Sequence, residues 1–274
     1  MRSLAVIYTI WLREAKLAAR ERARIIATVA QPLIYLGILG RGITSGMRLT
    51  SAGNVDYIKF MYPGIIGMSI LFTSIFSAIS IIWDREFGFL KEVLVAPVPR
   101  WAVAIGKSFG GATVALVQVA ILICIAPLLG ISLSVTIVVE ILLLGFLMSI
   151  AVTSLGIVVA SRMESMQSFQ MVMNFLVMPL YFLSGAMFPM SSAPGWMKNL
   201  MMADPLTYGV DAIRNVVFSD TTIGVGTTAQ PLVDVARQTG LIRWTLGFDI
   251  ALMALTAIVL SAAGAWAFSK SQAA

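Results

Sequence analysis

Two acidic side chains, Glu140 and Asp249, stand at the edges of long apolar runs. A carboxylate at membrane depth is costly, so it marks an ion path, a proton relay or a substrate contact by default. Counting softens that reading. The uncharged runs from Glu140 to Ala160 and from Asp249 to Phe268 each hold about 20 residues, enough to cross a bilayer unaided. Both acids can therefore lie at the outer interface. An outer vestibule, or pairing with Arg41 or Arg243, is the alternative. Other chemistry is thin. The absence of histidine removes Ser-His and Cys-His catalysis and His-ligated zinc or haem. The single cysteine, Cys124, sits in an apolar run, permits no intrachain disulfide or CxxC site, and reads as a small buried hydrophobe. An aspartyl pair such as Asp211 and Asp249 matches no catalytic spacing.

The richest segment is 84–100. Asp84 can cap a helix, and Pro97 and Pro99 stop it, so the spacing predicts a helix over 84–97 of about three turns. Asp84, Arg85, Glu86, Lys91 and Glu92 carry both charge signs. Phe87, Leu90, Val93 and Leu94 supply an apolar set, with Gly88 and Phe89 among them. Such a helix suits the groove of a soluble partner, or it lies passively on lipid headgroups. Two other stretches only imitate nucleotide motifs. Gly106-Lys107-Ser108 lacks the glycine five positions earlier that a phosphate-binding loop requires, since Trp101 stands there. Gly106 and Gly110 read better as a small-residue face for close helix packing. Leu183-Ser184-Gly185 lies within an apolar span, so no ATP hydrolysis is expected from this chain alone.

These residues need elements to hold them, and composition says what kind. Of 274 residues, 59 % are hydrophobic and 12 % charged, which excludes an ordinary water-soluble domain. The sequence predicts an all-α membrane protein with six transmembrane helices: Ile25–Ile43, Phe60–Trp83, Trp101–Leu129, Ile131–Ala160, Phe169–Met190 and Trp244–Phe268. Most of the 19 Lys and Arg residues fall on one side if both termini are cytoplasmic, which sets the orientation. The net charge of +6 then reflects topology rather than nucleic-acid binding. No cleaved signal peptide is expected, because the apolar run starts only at Ile25.

Residues 1–24 precede the bundle at 25–270. Leu4, Tyr8, Trp11, Ala15 and Ala18 share one stripe, and Arg13, Lys16 and Arg20 can meet anionic headgroups. An amphipathic helix on the inner membrane face follows; a soluble N-terminal helix is the alternative. The connection 191–243 is too apolar for a linker, and short helices dipping into the outer leaflet are expected there, followed by a polar stretch near Thr221–Gln230. Span five collects Met171, Met173, Met178, Phe175, Tyr181 and Phe182, a soft surface for varied apolar ligands or ordinary packing. Pro179 is expected to bend that span, a plausible hinge.

Three runs carry a family resemblance: WDREFGFLKEVLVAPVPRWAVAIGKSFGG at 83–111, NFLVMPLYFLSGAMFP at 174–189 and DPLTYGVDAIR at 204–214. Together they resemble the ABC-2 type permeases, in the subgroup of daunorubicin-resistance and nodulation-factor export permeases. The family often has Asn-Pro where this chain has Asp204-Pro205. The resemblance implies a non-catalytic permease subunit of an ATP-driven exporter in a prokaryotic plasma (inner) membrane. Two permease subunits, identical or different, would pair, and two separate ABC ATP-binding subunits would dock from the cytoplasm, carrying the ATP and Mg. This chain itself would bind no cofactor. Residues 1–24 would form the interface helix, 84–97 the ATPase-coupling helix and 191–243 the re-entrant segment. The substrate path would run between the two copies, past Phe72, Phe76, Met171, Phe175, Met178, Tyr181 and Phe182, with Pro179 and Gly185 as gating hinge. Cargo would be amphiphilic: drug, lipid, glycolipid or peptide. A gradient-driven six-span dimer, relaying protons through Glu140 and Asp249, is the competing reading.

Overall fold

A computed structural model describes residues 2–35, 37, 57–88, 98–219, 222–223 and 230–271. The chain is nearly all helix: α1 (Arg2–Arg20), α2 (Arg22–Tyr35), α3 (Tyr57–Ser77), α4 (Ile79–Glu86), α5 (Arg100–Ile125), α6 (Val135–Ala160), α7 (Met166–Leu183), α8 (Gly195–Ala203), α9 (Pro205–Ser219), α10 (Leu232–Gln238) and α11 (Leu246–Ser271). A two-residue antiparallel pairing, Thr222–Ile223 with Gln230–Pro231, is the one sheet contact among the described residues.

Five stretches are long and apolar enough to cross a membrane: Ile58–Glu86, Arg100–Leu129, Val135–Ala160, Met166–Leu183 and Leu246–Lys270. They match the second to sixth expected spans. The first, 25–43, is described only as far as Tyr35 and at Gly37. Local chemistry sets several boundaries. Ser134 accepts a hydrogen bond from the Ile137 amide and caps α6, so this helix starts four residues later than expected. Ser165 caps α7 in the same way through the Ser168 amide. That helix ends at Leu183 rather than Met190, because the chain turns at Gly185 with φ +73°.

α3 is the central helix: the span Ile58–Glu86, which it forms with α4, has 78 % of its most apolar stretch enclosed by protein, against 22 % for α7 and 17 % for α11. It packs against α5, α6 and α9, while α11 closes the other side of α5 and α6. Apolar burial has little driving force inside lipid, so polar contacts and close approach carry much of the helix association. Ser108, Ser154 and Ser261 form a hydroxyl chain across α5, α6 and α11, at 3.2 and 3.0 Å. Thr73 donates to Gln118 between α3 and α5.

α1 lies against the N-terminal half of α5. Gly106 and Gly110 make this approach, as expected: a Cβ at Gly110 would stand 2.5 Å from Cβ of Glu14, and one at Gly106 2.9 Å from Cβ of Ile10. Trp11 Nε1 donates to Thr113 Oγ1 at 2.8 Å. Leu4 and Tyr8 stay exposed on the far side. The helix therefore has one face packed against protein and another left exposed. At the opposite end of the bundle, α8, α9 and α10 form the expected short helices. α9 is buried from Leu206 to Phe218 against α3, α6 and α11, and at about 22 Å it is too short to span. Cys124 is exposed on α5 rather than buried in protein, contrary to the expectation.

Candidate functional site

At the α1 end, four charged side chains from three helices meet. Arg13 of α1 grips Asp84 of α4 with both terminal nitrogens, Nη2 to Oδ1 at 2.5 Å and Nη1 to Oδ2 at 3.0 Å. Lys107 of α5 donates to Asp84 Oδ2 at 2.6 Å, Glu14 Oε1 at 3.0 Å and Ser80 Oγ at 3.0 Å. Its three protons thus have three acceptors, and it is buried without an unpaired charge. Arg13 also reaches Glu14 at 3.2 Å. The cluster ties the amphipathic helix and the start of α5 to the last turn of α4, at the start of the 84–97 segment.

That placement corrects one expectation. Asp84 does not start a helix. It sits in the last turn of α4, which ends at Glu86, and the chain breaks at Gly88 with φ +80°, a conformation open to glycine and strained for other residues. Asp84, Arg85 and Glu86 therefore end the second span. Arg85 turns back to donate to the carbonyls of Met163 at 2.8 Å and Ser161 at 3.3 Å, after the end of α6. Phe87 projects into the open, 80 % exposed. Phe89, Leu90, Lys91 and Glu92, with the rest of the expected helix to 97, lie outside the described residues. The pairing of Asp84 with Lys107 was within reach of sequence reasoning, because they flank one short connection between neighbouring spans. The approach of Arg13 and Glu14 was not, because it depends on where α1 docks.

The substrate-path residues separate into two sets. Phe72 and Phe76 are half-buried in α3 with their rings stacked at 6.4 Å. Tyr181 is buried, and its hydroxyl reaches Met187 Sδ at 3.3 Å. Met171, Phe175, Met178 and Phe182 instead share one open face of α7 and are all exposed. Gln167 and Asn174 are exposed on that same face, which the expectation had left out. An amide at mid-span is unwelcome to lipid tails, so this face calls for a polar-tolerant neighbour. Pro179 is exposed within α7. Gly185 is held, since Arg214 Nη2 donates to its carbonyl at 3.0 Å.

The opposite end gathers a second polar group. Asp211 of α9 accepts from the backbone amides of Arg243 and Trp244, both at 3.1 Å to Oδ2. Arg214, buried above the Phe60 ring at 4.4 Å, also donates to the Leu241 carbonyl at 3.2 Å. Burial lowers its pKa to about 10 even though Asp211 opposes the shift. Burial pushes the Asp211 carboxyl up, with Arg214 and the two amides pulling the other way. Asp204 caps α9 through the Leu206 amide at 2.9 Å, ahead of Pro205 at the first helical position. Burial pushes its carboxyl up to about 7. Asp249, in the first turn of α11, is fully enclosed beneath α9, and both its oxygens lack a hydrogen-bond partner among the described residues. It does not face water at an interface, nor does it pair with Arg243 among the described residues; Arg41 lies outside them. Glu140 is half-buried in the second turn of α6. Sequence reasoning named Asp211 and Asp249 together but missed the network as a whole, because its members are spread over 204–249 and join only when α9 folds back.

Residues 5–218 match the family described as ABC-2 type transporter. The transport permease ycf38 of Cyanophora paradoxa is 31 % identical over 199 residues, covering 71 % of this chain and 68 % of that protein. Nodulation protein J of Rhizobium meliloti is 28 % identical over 206 residues, 74 % of this chain and 78 % of its own. The multidrug ABC transporter permease YbhR of Escherichia coli is 28 % identical over 198 residues, 68 % of this chain and 51 % of its own.

Proposed function

We propose, from the premise that this chain belongs to the ABC-2 type transporter family, that it works as the exporting half-channel for amphiphilic cargo. As a multi-pass permease of an ABC transporter it leaves ATP hydrolysis to a partner subunit, which removes the need for the gradient-driven alternative. The observation that carries the cargo class is the open face of α7. Gln167 and Asn174 stand among Met171, Phe175, Met178 and Phe182, so one surface offers both amides and soft apolar groups. A purely apolar ligand would leave the amides unpaired, and a purely polar one would strand the thioethers and rings. A second permease copy, facing the first across this surface, encloses the path.

Coupling follows from the α1-end cluster. An ATP-binding subunit seated on 84–97, with Phe87 as an apolar anchor, pushes on the last turn of α4. Asp84 passes that displacement to α5 through Lys107 and to α1 through Arg13. Two ATPases serve two permease copies, with both termini cytoplasmic in a prokaryotic inner membrane. Nodulation protein J and the multidrug permease YbhR support the reading through their names, which concern those proteins.

The test is co-expression with the ATP-binding protein encoded beside this chain, reconstitution, and uptake of a fluorescent amphiphile into inside-out vesicles. ATP-dependent uptake is expected, with loss of both uptake and co-purified ATPase in Phe87→Asp. Uptake only in right-side-out vesicles would reverse the direction. Full activity of Phe87→Asp would remove the coupling assignment.

A further inference from the structure

A hollow opens at the α1 end, between the ends of α4, α6 and α11. It has a volume of about 460 Å³ and is walled by Arg85, Ser161, Arg162, Glu164, Trp266 and Lys270. That volume falls in the range of small-ligand sites, ~300–1,000 Å³. Three features mark its ligand as a phosphate-bearing anion held at a membrane surface. First, bases dominate the wall: Arg162 and Lys270 are exposed on it, and Glu164 is the one acid lining it among the described residues. Second, the negative end of α6 is already neutralised, because the Arg85 guanidinium occupies the Ser161 and Met163 carbonyls that would otherwise repel an anion. Third, α11 offers an exposed apolar stripe beside the hollow. Leu255, Ile258 and Val259 are exposed along one stripe, and the stripe ends at exposed Trp266. Lys270 lies over the Trp266 ring at 5.2 Å. An apolar stripe closed by tryptophan and lysine marks the boundary between acyl chains and headgroups.

We propose that this hollow binds the headgroup phosphodiester of an anionic phospholipid, with an acyl chain along the exposed stripe of α11. Arg162 and Lys270 contact the phosphate, and Trp266 lies at the glycerol level. The bound lipid is a structural ligand, distinct from cargo passing the α7 face. It bridges α11 to the loop that joins α6 and α7.

The test is native mass spectrometry of the full chain in mild detergent, supplied with equal phosphatidylglycerol and phosphatidylcholine. Selective retention of phosphatidylglycerol is expected. Its affinity should fall about fivefold for each base removed in Arg162→Gln and Lys270→Gln, and these losses should combine in the double variant. Lys198→Gln, in α8 at the opposite end of the bundle, is expected to keep the selective retention. Equal retention of the two lipids, or unchanged retention in the double variant, overturns the proposal. Displacement by millimolar glycerol 3-phosphate also overturns it, by assigning the site to a soluble phosphate. A double variant that keeps its phosphatidylglycerol but loses co-purified ATPase makes this face a protein dock instead. Elution of the double variant as a single species, at the wild-type volume, shows that lost retention is not misfolding.

Discussion

The two ends of the bundle bury charge in opposite ways. At the α1 end, Arg13, Glu14, Asp84 and Lys107 meet within hydrogen-bond distance and satisfy one another. At the far end, Asp249 has no partner among the described residues, and neither do Asp204 Oδ2 and Arg214 Nε. A buried charge in a satisfied set holds its neighbours in one arrangement, because moving any helix breaks several charge-assisted bonds together. A buried polar group with an open valence has something to gain from rearrangement or protonation. The difference assigns labour: the α1 end transmits displacement as a rigid joint, and the far end is where the structure can change state. α9 fits this division, since it is buried from Leu206 to Phe218 yet carries Arg214 and packs beside Asp204 and Asp249.

The largest expected effect tests the rigid joint. Lys107→Ala leaves two buried carboxylates without their shared cation and should cost about 3–5 kcal/mol in an unfolding titration in mixed micelles. A cost below about 1 kcal/mol would mean that the cluster is not a joint and that the comparison between the ends fails.

Next comes pH dependence at the far end. The folded-state pKa of Asp204 is raised from 3.8 to about 7, so the folded chain holds a proton that the unfolded chain has released between those values. Stability from this group is therefore present below about pH 4 and lost as pH rises through about 7, by up to about 4 kcal/mol. Asp204→Asn keeps the cap and removes the titration. Its stability should vary less between pH 5 and 8 than that of the wild type, and it should exceed the wild type at pH 8. An unchanged pH profile would place the titration elsewhere.

A smaller effect is expected where α1 seats. Gly110→Ala forces a Cβ against Glu14 and should cost about 1–3 kcal/mol, with loss of co-purified ATPase if α1 is part of the joint. Retained ATPase with lowered stability would separate the seating of α1 from coupling. The smallest effect sharpens the contrast. Asp249→Asn breaks no hydrogen bond seen among the described residues and removes an enclosed carboxyl that has no partner among them, so it should cause no loss of stability at neutral pH, opposite in sign to Lys107→Ala. A loss as large as that of Lys107→Ala would show that Asp249 is as fully engaged as Asp84, and the two ends would no longer differ.

Much of this was legible in the residues. The apolar runs determined that the chain is helical and spans a membrane, because unpaired backbone in lipid permits little else. Five of the expected spans stand where the runs lie. Gly106 and Gly110 pointed to a close helix approach, and Met171, Phe175, Met178 and Phe182 to a shared α7 face, since helical periodicity is a local property. What the tertiary structure alone decided was pairing across distance. Asp84 reads as a cap from its neighbours, but it is a buried acceptor for Arg13, because α1 docks beside α5. Asp249 reads as interfacial from run length, but it is enclosed because α9 folds back over it. Run length reports how far a helix can reach through the bilayer; whether a charge on it meets water, a partner or neither depends on which other segment packs there.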